Sequence, residues 1–261
     1  MSTQPQSPQE RDRHTRAAFL ARLGSAALAV AATGTCAAQT TQPTPSPHRW
    51  KGQPASKVKR WDIITIGNLS RNQYWGEGNA TAVRPVLCTC TLIRGEGFSL
   101  LVDPSVADAT QMAHELDRRT GLKPKDITHT FITHEHADHW PGLVNFPDAT
   151  WLAAKQVADA LNATGKLPKK VDPADAGKKL FDAIDVIPTP GHTTSHHALR
   201  FDCEDLSIVA AGDALATHDF FRDRRGFYNS VNFDQAAQSM DKLAALADIL
   251  IPGHDNYFLL I

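Results

Sequence analysis

The sequence predicts an α/β protein in which short strands alternate with helices in one domain. Three observations support this class. Runs of apolar and β-branched residues recur along the chain, segments with apolar residues at helical spacing separate several of these runs, and many runs end at a Gly or Pro turn. We therefore expect a sheet-based core that is covered by helices.

The individual elements follow from these patterns in chain order. Strands are expected at residues 61–67, 86–94, 98–103, 127–133, 148–153, 183–188, 197–202, 206–211 and 247–251. Helices are expected at residues 106–119, 155–163 and 233–247, where apolar residues repeat with the period of an α-helix. Residues 216–229 are expected to form a loop.

A cluster of metal-ligand side chains follows the predicted strand at 127–133. Residues 134–139 read His-Glu-His-Ala-Asp-His, and zinc prefers imidazole and carboxylate ligands. His134 and His136 are two residues apart, so on extended backbone they point the same way and can hold one ion. Asp138 and His139 fall on the next turn and suit a second ion. Twelve histidines in 261 residues make a chance pair common, but four ligand-type residues in this pattern favour a metal site.

Three more ligand candidates each follow a strand-like run. His192 lies in a turn after 183–188, Asp213 follows 206–211, and His254 follows 247–251. Loops at strand ends can gather distant side chains into one site. The sequence therefore predicts a metal centre that is assembled from several loops.

The stretch from Thr133 to Gly142, which reads THEHADHWPG, resembles the THxHxDHxxG signature of the metallo-β-lactamase-fold hydrolases. Asp103, in Leu-Leu-Val-Asp-Pro, and then the three later candidates resemble the remaining motifs of that family, in the same order. The resemblance extends from about Val86 to His254. It implies an αββα four-layer sandwich, in which two packed sheets have helices outside.

The resemblance also implies a role for each matched residue. The first metal ion would be held by His134, His136 and His192, and the second by Asp138, His139 and His254, with Asp213 bridging the two. Asp103 would orient a ligand histidine by hydrogen bonding. Two zinc ions per chain are expected, with iron or manganese as alternatives.

Such a centre implies hydrolysis without a serine or cysteine nucleophile. A metal ion lowers the pKa of bound water from 15.7 to roughly 7, which makes hydroxide available at neutral pH. The second ion would polarise a lactone, ester, thioester or amide carbonyl. Asp138 is expected to take part in proton transfer. Ser195 beside His196 would suit a serine hydrolase, but the Gly-x-Ser-x-Gly turn is absent there.

Substrate contacts are expected from the segment after Asp213. Residues 216–229 contain four aromatic residues and three arginines, and they begin close to the bridging ligand. The candidates for substrate contact are Trp140, His196, Phe220, Phe221, Arg222 and Tyr228. An ordinary amphipathic surface loop is an equally good interpretation of 216–229.

Residues 1–38 are typical of an export signal, with arginines, a small-residue apolar stretch and a Cys-Ala-Ala cleavage site. The expected destination is the bacterial periplasm, by the Sec route or by a twin-arginine route whose motif lacks its second arginine. Residues 39–57, rich in Gln, Thr, Pro and Ser, are expected to be a disordered linker before a catalytic domain at 58–261. The alternative is a cytoplasmic protein with an extended N-terminus.

The net charge narrows the possible partners, and the cysteine spacing indicates the state of the thiols. The formal net charge of −1 gives no reason to expect nucleic acid or a membrane surface, and the apolar stretch near the N-terminus is too short to span a bilayer. A small-molecule substrate is expected, and the oligomeric state stays open. Cys88, Cys90 and Cys203 are expected to be buried free thiols. Cys88 and Cys90 are separated by a single residue on a predicted strand, and a disulfide between such cysteines has poor geometry.

Two other functional readings fit parts of the pattern. An iron persulfide dioxygenase uses this fold with one metal, and residues 212–215, Gly-Asp-Ala-Leu, resemble that branch, although it would not need the second set of ligands. Quorum-quenching lactonases and the nuclease-like metallo-β-lactamase domain-containing protein 1 share the compact layout. The tyrosine that lactonases place after the bridging aspartate is absent from residues 213–216. True β-lactamases carry Cys or Ser in place of Asp213.

Overall fold

The structure is a computed structural model, and it describes residues 56–174, 177 and 179–260. The predicted export signal at 1–38 and residues 39–55 of the predicted linker lie outside this part of the chain. The first strand begins at Val58, directly after the predicted linker. None of the helices in the described part is both long and apolar enough for a membrane span.

The described residues form eleven strands and four α-helices. The strands are β1 (Val58–Thr65), β2 (Cys90–Gly95), β3 (Phe98–Val102), β4 (His129–Ile132), β5 (Thr150–Ala154), β6 (Asp172–Ala174), β7 (Ile184–Pro188), β8 (His197–Cys203), β9 (Leu206–Gly212), β10 (Ile249–Pro252) and β11 (Phe258–Leu259). The helices are α1 (Ala109–Thr120), α2 (Lys155–Ala163), α3 (His218–Arg222) and α4 (Phe233–Ala244). Short 3-10 helices lie at Gln73–Trp75, Pro124–Asp126 and Pro141–Asn145.

All nine predicted strands and all three predicted helices are present, and the differences have local causes. Strands β6 and β11 contain three and two residues, too few to show an alternating pattern. Helix α3 lies within 216–229, where a loop was predicted, and its five residues are too few to show a helical period. The predicted strand at 86–94 begins later, at Cys90, because Leu87 pairs instead with Asn68 in an isolated bridge.

Hydrogen bonds join the strands in the order β11-β10-β9-β8-β1-β2-β3-β4-β5-β6, with β7 on β8. A single residue pair, Val58 with Cys203, links β1 to β8. The strands therefore form two sheets, β1–β6 and β7–β11, which meet at this junction. Strands β3 to β6 run parallel, as do β9 and β10. Within each parallel set, the loops that follow the strands emerge at one edge.

Alternating side chains show how the two sheets are stacked. On β3, Leu100 belongs to a buried cluster shared with the second sheet, whereas Leu101 belongs to the cluster that contains residues of α1 and α2. On β9, Ile208 faces the first sheet and Val209 packs with residues of α4. Successive side chains on a strand point to opposite faces, so each sheet has one face toward its partner and one toward helices. The predicted αββα sandwich is confirmed.

Candidate metal centre

The loop after β4 brings four of the predicted ligands to the edge of the first sheet. Nε2 of His134 lies 3.1 Å from Nδ1 of His136. The backbone N–H of His139 donates to the carbonyl of His136 at 3.2 Å, so the chain turns before Asp138 and His139. His134 and His139 are fully buried, and His136 and Asp138 are partly exposed. The loop therefore presents two ligand pairs in different directions.

The second sheet supplies the other three predicted ligands from loops after β7, β9 and β10. Nε2 of His192 lies 2.8 Å from Nδ1 of His136. The carboxylate of Asp213 reaches His192 through Oδ2 at 3.2 Å, and it reaches Nε2 of His139 and His254 through Oδ1 at 3.3 and 3.2 Å. Side chains from both sheets thus converge on one carboxylate.

The seven predicted ligands form two groups, and each group as a whole could hold one metal ion. One group is His134, His136, His192 and Asp213, and the other is Asp138, His139 and His254, with ligand atoms within 4.8 Å of one another in each group. Asp213 turns one oxygen toward each group. Nε2 of His139 and Oδ1 of Asp213 are buried without a hydrogen-bond partner in the described structure. Buried unpaired polar atoms are costly, and a divalent cation would satisfy both.

The electrostatics of the group that contains His134, His192 and Asp213 also suit a cation. Burial lowers the pKa of His192 to about 4 and that of His134 well below its ordinary value, so both rings are neutral at pH 7 and free to bind metal. Burial alone would raise the pKa of Asp213, but His254, His139 and His192 hold it well below its ordinary value. Asp213 is therefore an ionised carboxylate.

Asp103 lies directly behind His139, with its backbone at a positive φ of 50° after β3. Its carboxylate accepts hydrogen bonds from the backbone N–H of Thr133 at 2.8 Å and from the Thr133 hydroxyl at 2.7 Å. Oδ2 of Asp103 also lies 2.9 Å from Nδ1 of His139. A proton on Nδ1 leaves the Nε2 lone pair directed at the centre, which is the arrangement that favours a metal ligand.

The loops after β4 and β7 are supported by side chains that are not themselves metal-ligand candidates. The Ser195 hydroxyl donates to Oε2 of Glu135 at 2.9 Å. The indole N–H of Trp140 donates to the carbonyl of Glu135 at 3.1 Å, and its ring packs against the core of the first sheet. The structure therefore places Trp140 as a support of the 134–139 loop rather than in the cleft.

His196 is buried beneath the turn that carries Asp213. Its Nδ1 lies 2.7 Å from the Thr189 hydroxyl, and its Nε2 accepts the backbone N–H of Ala214 at 3.1 Å. Both ring nitrogens are therefore occupied. The expectation that His196 contacts substrate does not fit this position, because the ring holds the Asp213 turn in place.

Cys88, Cys90 and Cys203 are free and buried, as expected. The thiol of Cys88 donates to the backbone carbonyl of Asp103 at 3.3 Å. Burial raises the pKa of Cys88 to about 11. This thiol is therefore protonated at neutral pH and is a poor metal ligand.

A cleft of about 240 Å³ opens above the metal ligands. Its lining consists of Leu69, Ser70, Val86, His136, Ala137, Asp138, Asp213, Phe227, Tyr228, Asn229 and His254. Of the residues predicted to contact substrate, Tyr228 lies in this lining. Phe220 packs beneath it against Leu69 and Phe227.

Two other predicted substrate residues face away from the cleft. Phe221 is buried in the outer core between the second sheet and its helices. Arg222 is exposed and pairs with Asp219 at 2.9 Å, one turn away on α3. The prediction assigned both to the cleft because it treated 216–229 as an open loop. Helix α3 instead turns their side chains toward the core and the solvent.

The cleft residues that the sequence did not reveal come mainly from the connection between β1 and β2. Leu69, Ser70 and Val86 lie in residues 66–89, a segment without apolar periodicity. Its length was a usable signal, because connections longer than about 15 residues are uncommon in compact domains and are often functional.

Replacing Gly253 by Ala should weaken metal binding. A Cβ at this position would overlap Oδ1 of Asp213 and the backbone of Gly212, so the carboxylate must move. We expect zinc affinity to fall about 10–100-fold, the range for loss of a group that orients a ligand. Competition with a chromogenic chelator measures this change. Gly78→Ala is the matched control, because a Cβ there meets no heavy atom within 4 Å. Equal affinities in the two variants would contradict the expected effect.

Comparisons with known proteins agree with this geometry. Residues 83–254 match the family model described as the metallo-beta-lactamase superfamily. Metallo-beta-lactamase domain-containing protein 1 of Xenopus laevis is 31% identical over 182 residues, which cover 66% of this chain and 72% of that protein. Hydroxyacylglutathione hydrolase of Xylella fastidiosa (strain M23) is 35% identical over 129 residues, which cover 48% of this chain and 44% of that protein. The solved structure of AidC, a dizinc quorum-quenching lactonase in complex with a product, has a similar fold. Its TM-score is 0.55 at 19% identity, covering 64% of this chain and 72% of that one.

Proposed function

The chain belongs to the metallo-beta-lactamase superfamily and is a metal-dependent hydrolase, and we propose that it uses two zinc ions to hydrolyse a lactone, ester, thioester or amide bond in a small molecule. The observation that carries this proposal is the pair of ligand groups around Asp213. Each group offers at least three nitrogen or oxygen ligands, which is the number that a catalytic zinc site uses. Asp213 belongs to the first group, and its Oδ1 also lies within 3.3 Å of His139 and His254 of the second, so the two ions would act on one substrate.

The residues that line the cleft have distinct proposed roles in hydrolysis. Bound zinc ions would lower the pKa of a water molecule to about 7 and polarise the substrate carbonyl oxygen. Asp138 lies on the cleft floor, with Oδ2 3.6 Å from Nε2 of His254, and is partly exposed. We assign it proton transfer between the attacking water and the leaving group. Leu69, Val86 and Phe227 would give the substrate an apolar wall on one side of the cleft.

The relatives support the proposed range of substrates. A hydroxyacylglutathione hydrolase and a dizinc lactonase are both similar to this chain, and their names cover thioester and lactone substrates. A persulfide dioxygenase with one iron is the less favoured candidate, because Asp138, His139 and His254 complete a second ligand group. We also propose that residues 1–38 direct export to the periplasm, which N-terminal sequencing of the mature protein tests.

Elemental analysis combined with a substrate panel tests the proposed function. Mature protein purified without chelator or added metal should contain about two zinc ions per chain. It should hydrolyse at least one member of a panel of lactones, thioesters, aryl esters and amides, and lose this activity on chelation until zinc is restored. His136→Ala should bind less zinc, whereas His114→Ala, an exposed histidine on α1, should match the wild type. One iron per chain, with oxygen consumption on persulfides, would refute the proposal.

A further inference from the structure

Arg71 is a buried cation in the connection between β1 and β2. Only 9% of the surface of Arg71 is exposed, and its Nε atom is buried without a hydrogen-bond partner among the described residues. Among the described residues, no side-chain hydrogen bond or ion pair involves its guanidinium group. Buried charges in proteins are normally paired, because an unpaired charge loses its hydration without compensation. The described residues therefore supply no anion to Arg71.

The acidic side chains of the neighbouring segments are already engaged. Glu77 pairs with Arg84 and accepts the backbone N–H of Asn72 at 2.6 Å. Asp223 accepts the hydroxyl of Tyr74 at 2.6 Å. These two carboxylates are thus committed to other groups, and neither neutralises Arg71.

The guanidinium of Arg71 stacks on a residue that lines the cleft. Its central carbon is 3.9 Å from the centroid of the Tyr228 ring, and both Tyr228 and Ser70 line the cleft. Tyr228 in turn packs against Phe227, with ring centroids 4.4 Å apart. Arg71 is thereby held beside the apolar wall that faces the ligand groups.

Stacking on an aromatic ring does not by itself explain the missing anion. Arg224 also lies over a ring, that of Phe221 at 4.2 Å, and it pairs with Asp241 at 2.6 Å. Arg224 is exposed, whereas Arg71 is buried. Of these two arginines, the buried Arg71 is therefore the one without an anionic partner among the described residues.

We propose that Arg71 is the anion-binding residue of the cleft and that the substrate carries a carboxylate away from the bond that is cleaved. This inference rests on the proposed hydrolase function. A guanidinium is planar and binds a carboxylate through two parallel hydrogen bonds. Leu69, Val86 and Phe227 would contact the apolar part of the substrate between its carboxylate and its carbonyl. Arg71 thus selects the substrate and takes no part in bond cleavage.

Equilibrium binding to the zinc-loaded full chain provides the first test. Benzoate and benzamide have the same shape and differ in charge, and calorimetry compares their dissociation constants. Benzoate should bind the wild type about tenfold more tightly, the effect of a charge-assisted hydrogen bond. Arg71→Met should abolish this preference, and Arg224→Met should keep it. Equal binding of the two probes to the wild type, or an unchanged preference in Arg71→Met, would overturn the inference.

Kinetics on a matched pair of aryl esters provides the second test. One ester carries a distal carboxylate and the other the corresponding primary amide. Arg71→Met should raise KM about tenfold for the acid and leave KM for the amide and kcat for both unchanged. An equal rise in both KM values would refute a charge-selective role.

Two further outcomes separate the claims. If the wild type hydrolyses neither ester and no other member of the panel but still prefers benzoate through Arg71, the hydrolase proposal fails and the anion site stands. If Arg71→Met does not fold, as judged by its thermal melt, Arg71→Lys replaces it. Lys keeps the charge but not the planar fork, so it should retain part of the benzoate preference. Full retention would contradict the bidentate contact, and total loss in a folded Lys variant would contradict a role for the charge.

Discussion

Replacing Asp213 by Ala should strip both metal ions from the protein and lower kcat/KM by more than about a hundredfold. Loss of a group that only orients a ligand costs 10–100-fold, and Asp213 is itself placed to contact both proposed ions. Its Oδ1 lies 3.2–3.3 Å from Nε2 of His254 and His139, and its Oδ2 lies 3.2 Å from Nε2 of His192. Elemental analysis and steady-state kinetics on the best substrate of the panel measure the two effects.

Two other carboxylate variants show whether this effect is specific. Asp138→Ala should remove the second ion and turnover while the first ion stays bound, because Asp138 belongs to one ligand group. Asp219→Ala removes a carboxylate that pairs with Arg222 on α3, and it should keep both ions and full activity. Two ions and normal turnover in Asp213→Ala would exclude a bridging role.

Replacing Asp103 by Ala should lower both stability and metal affinity. Asp103 is 2% exposed and accepts two hydrogen bonds from Thr133 as well as contacting His139. Its loss leaves the buried N–H of Thr133 unpaired, so the free energy of unfolding should fall by about 2–4 kcal/mol. The zinc affinity should fall about 10–100-fold, because Nδ1 of His139 loses its acceptor. Urea denaturation and chelator competition measure these quantities.

Asp103→Asn separates the two contributions. Asparagine adopts positive φ more readily than most residues, so the backbone at φ 50° is retained. It still offers an oxygen to Thr133 but no negative charge to His139. We expect most of the stability to return and the metal affinity to stay low. Recovery of both stability and metal affinity in Asp103→Asn would show that Asp103 acts through its hydrogen bonds to Thr133 and not through its charge beside His139.

The clustering of the candidate ligands and the layers of the fold were predictable because their signals are local. His134, His136, Asp138 and His139 stand within six residues, and the later ligands each follow an apolar run, so neither needed long-range information. Strands such as β3 and β9 are long enough to show which residues are apolar. Their face assignments then follow from alternation.

The walls of the cleft were not predictable in the same way. The directions of the Phe221 and Arg222 side chains depend on the helix within 216–229, and a helix of five residues is too short to show a period in the sequence. His196 depended on which side of the Asp213 turn its ring occupies. Arg71 stands in a long connection with no sequence pattern. Its proposed role depends on its burial without an anionic partner among the described residues, which only the three-dimensional structure shows. These positions are set by tertiary packing, which no local motif encodes.

The ligands of each proposed ion come from both sheets, which are joined at their seam by the single pair of Val58 and Cys203. A chain with unfolded or separated sheets therefore has no intact site, and metal binds the folded state more tightly than the unfolded one. Free metal at a hundred times its dissociation constant then adds up to about 2.7 kcal/mol to the free energy of unfolding. Unfolded chains are the ones that proteases degrade. The steady-state amount of this protein should therefore rise with the supply of metal around it.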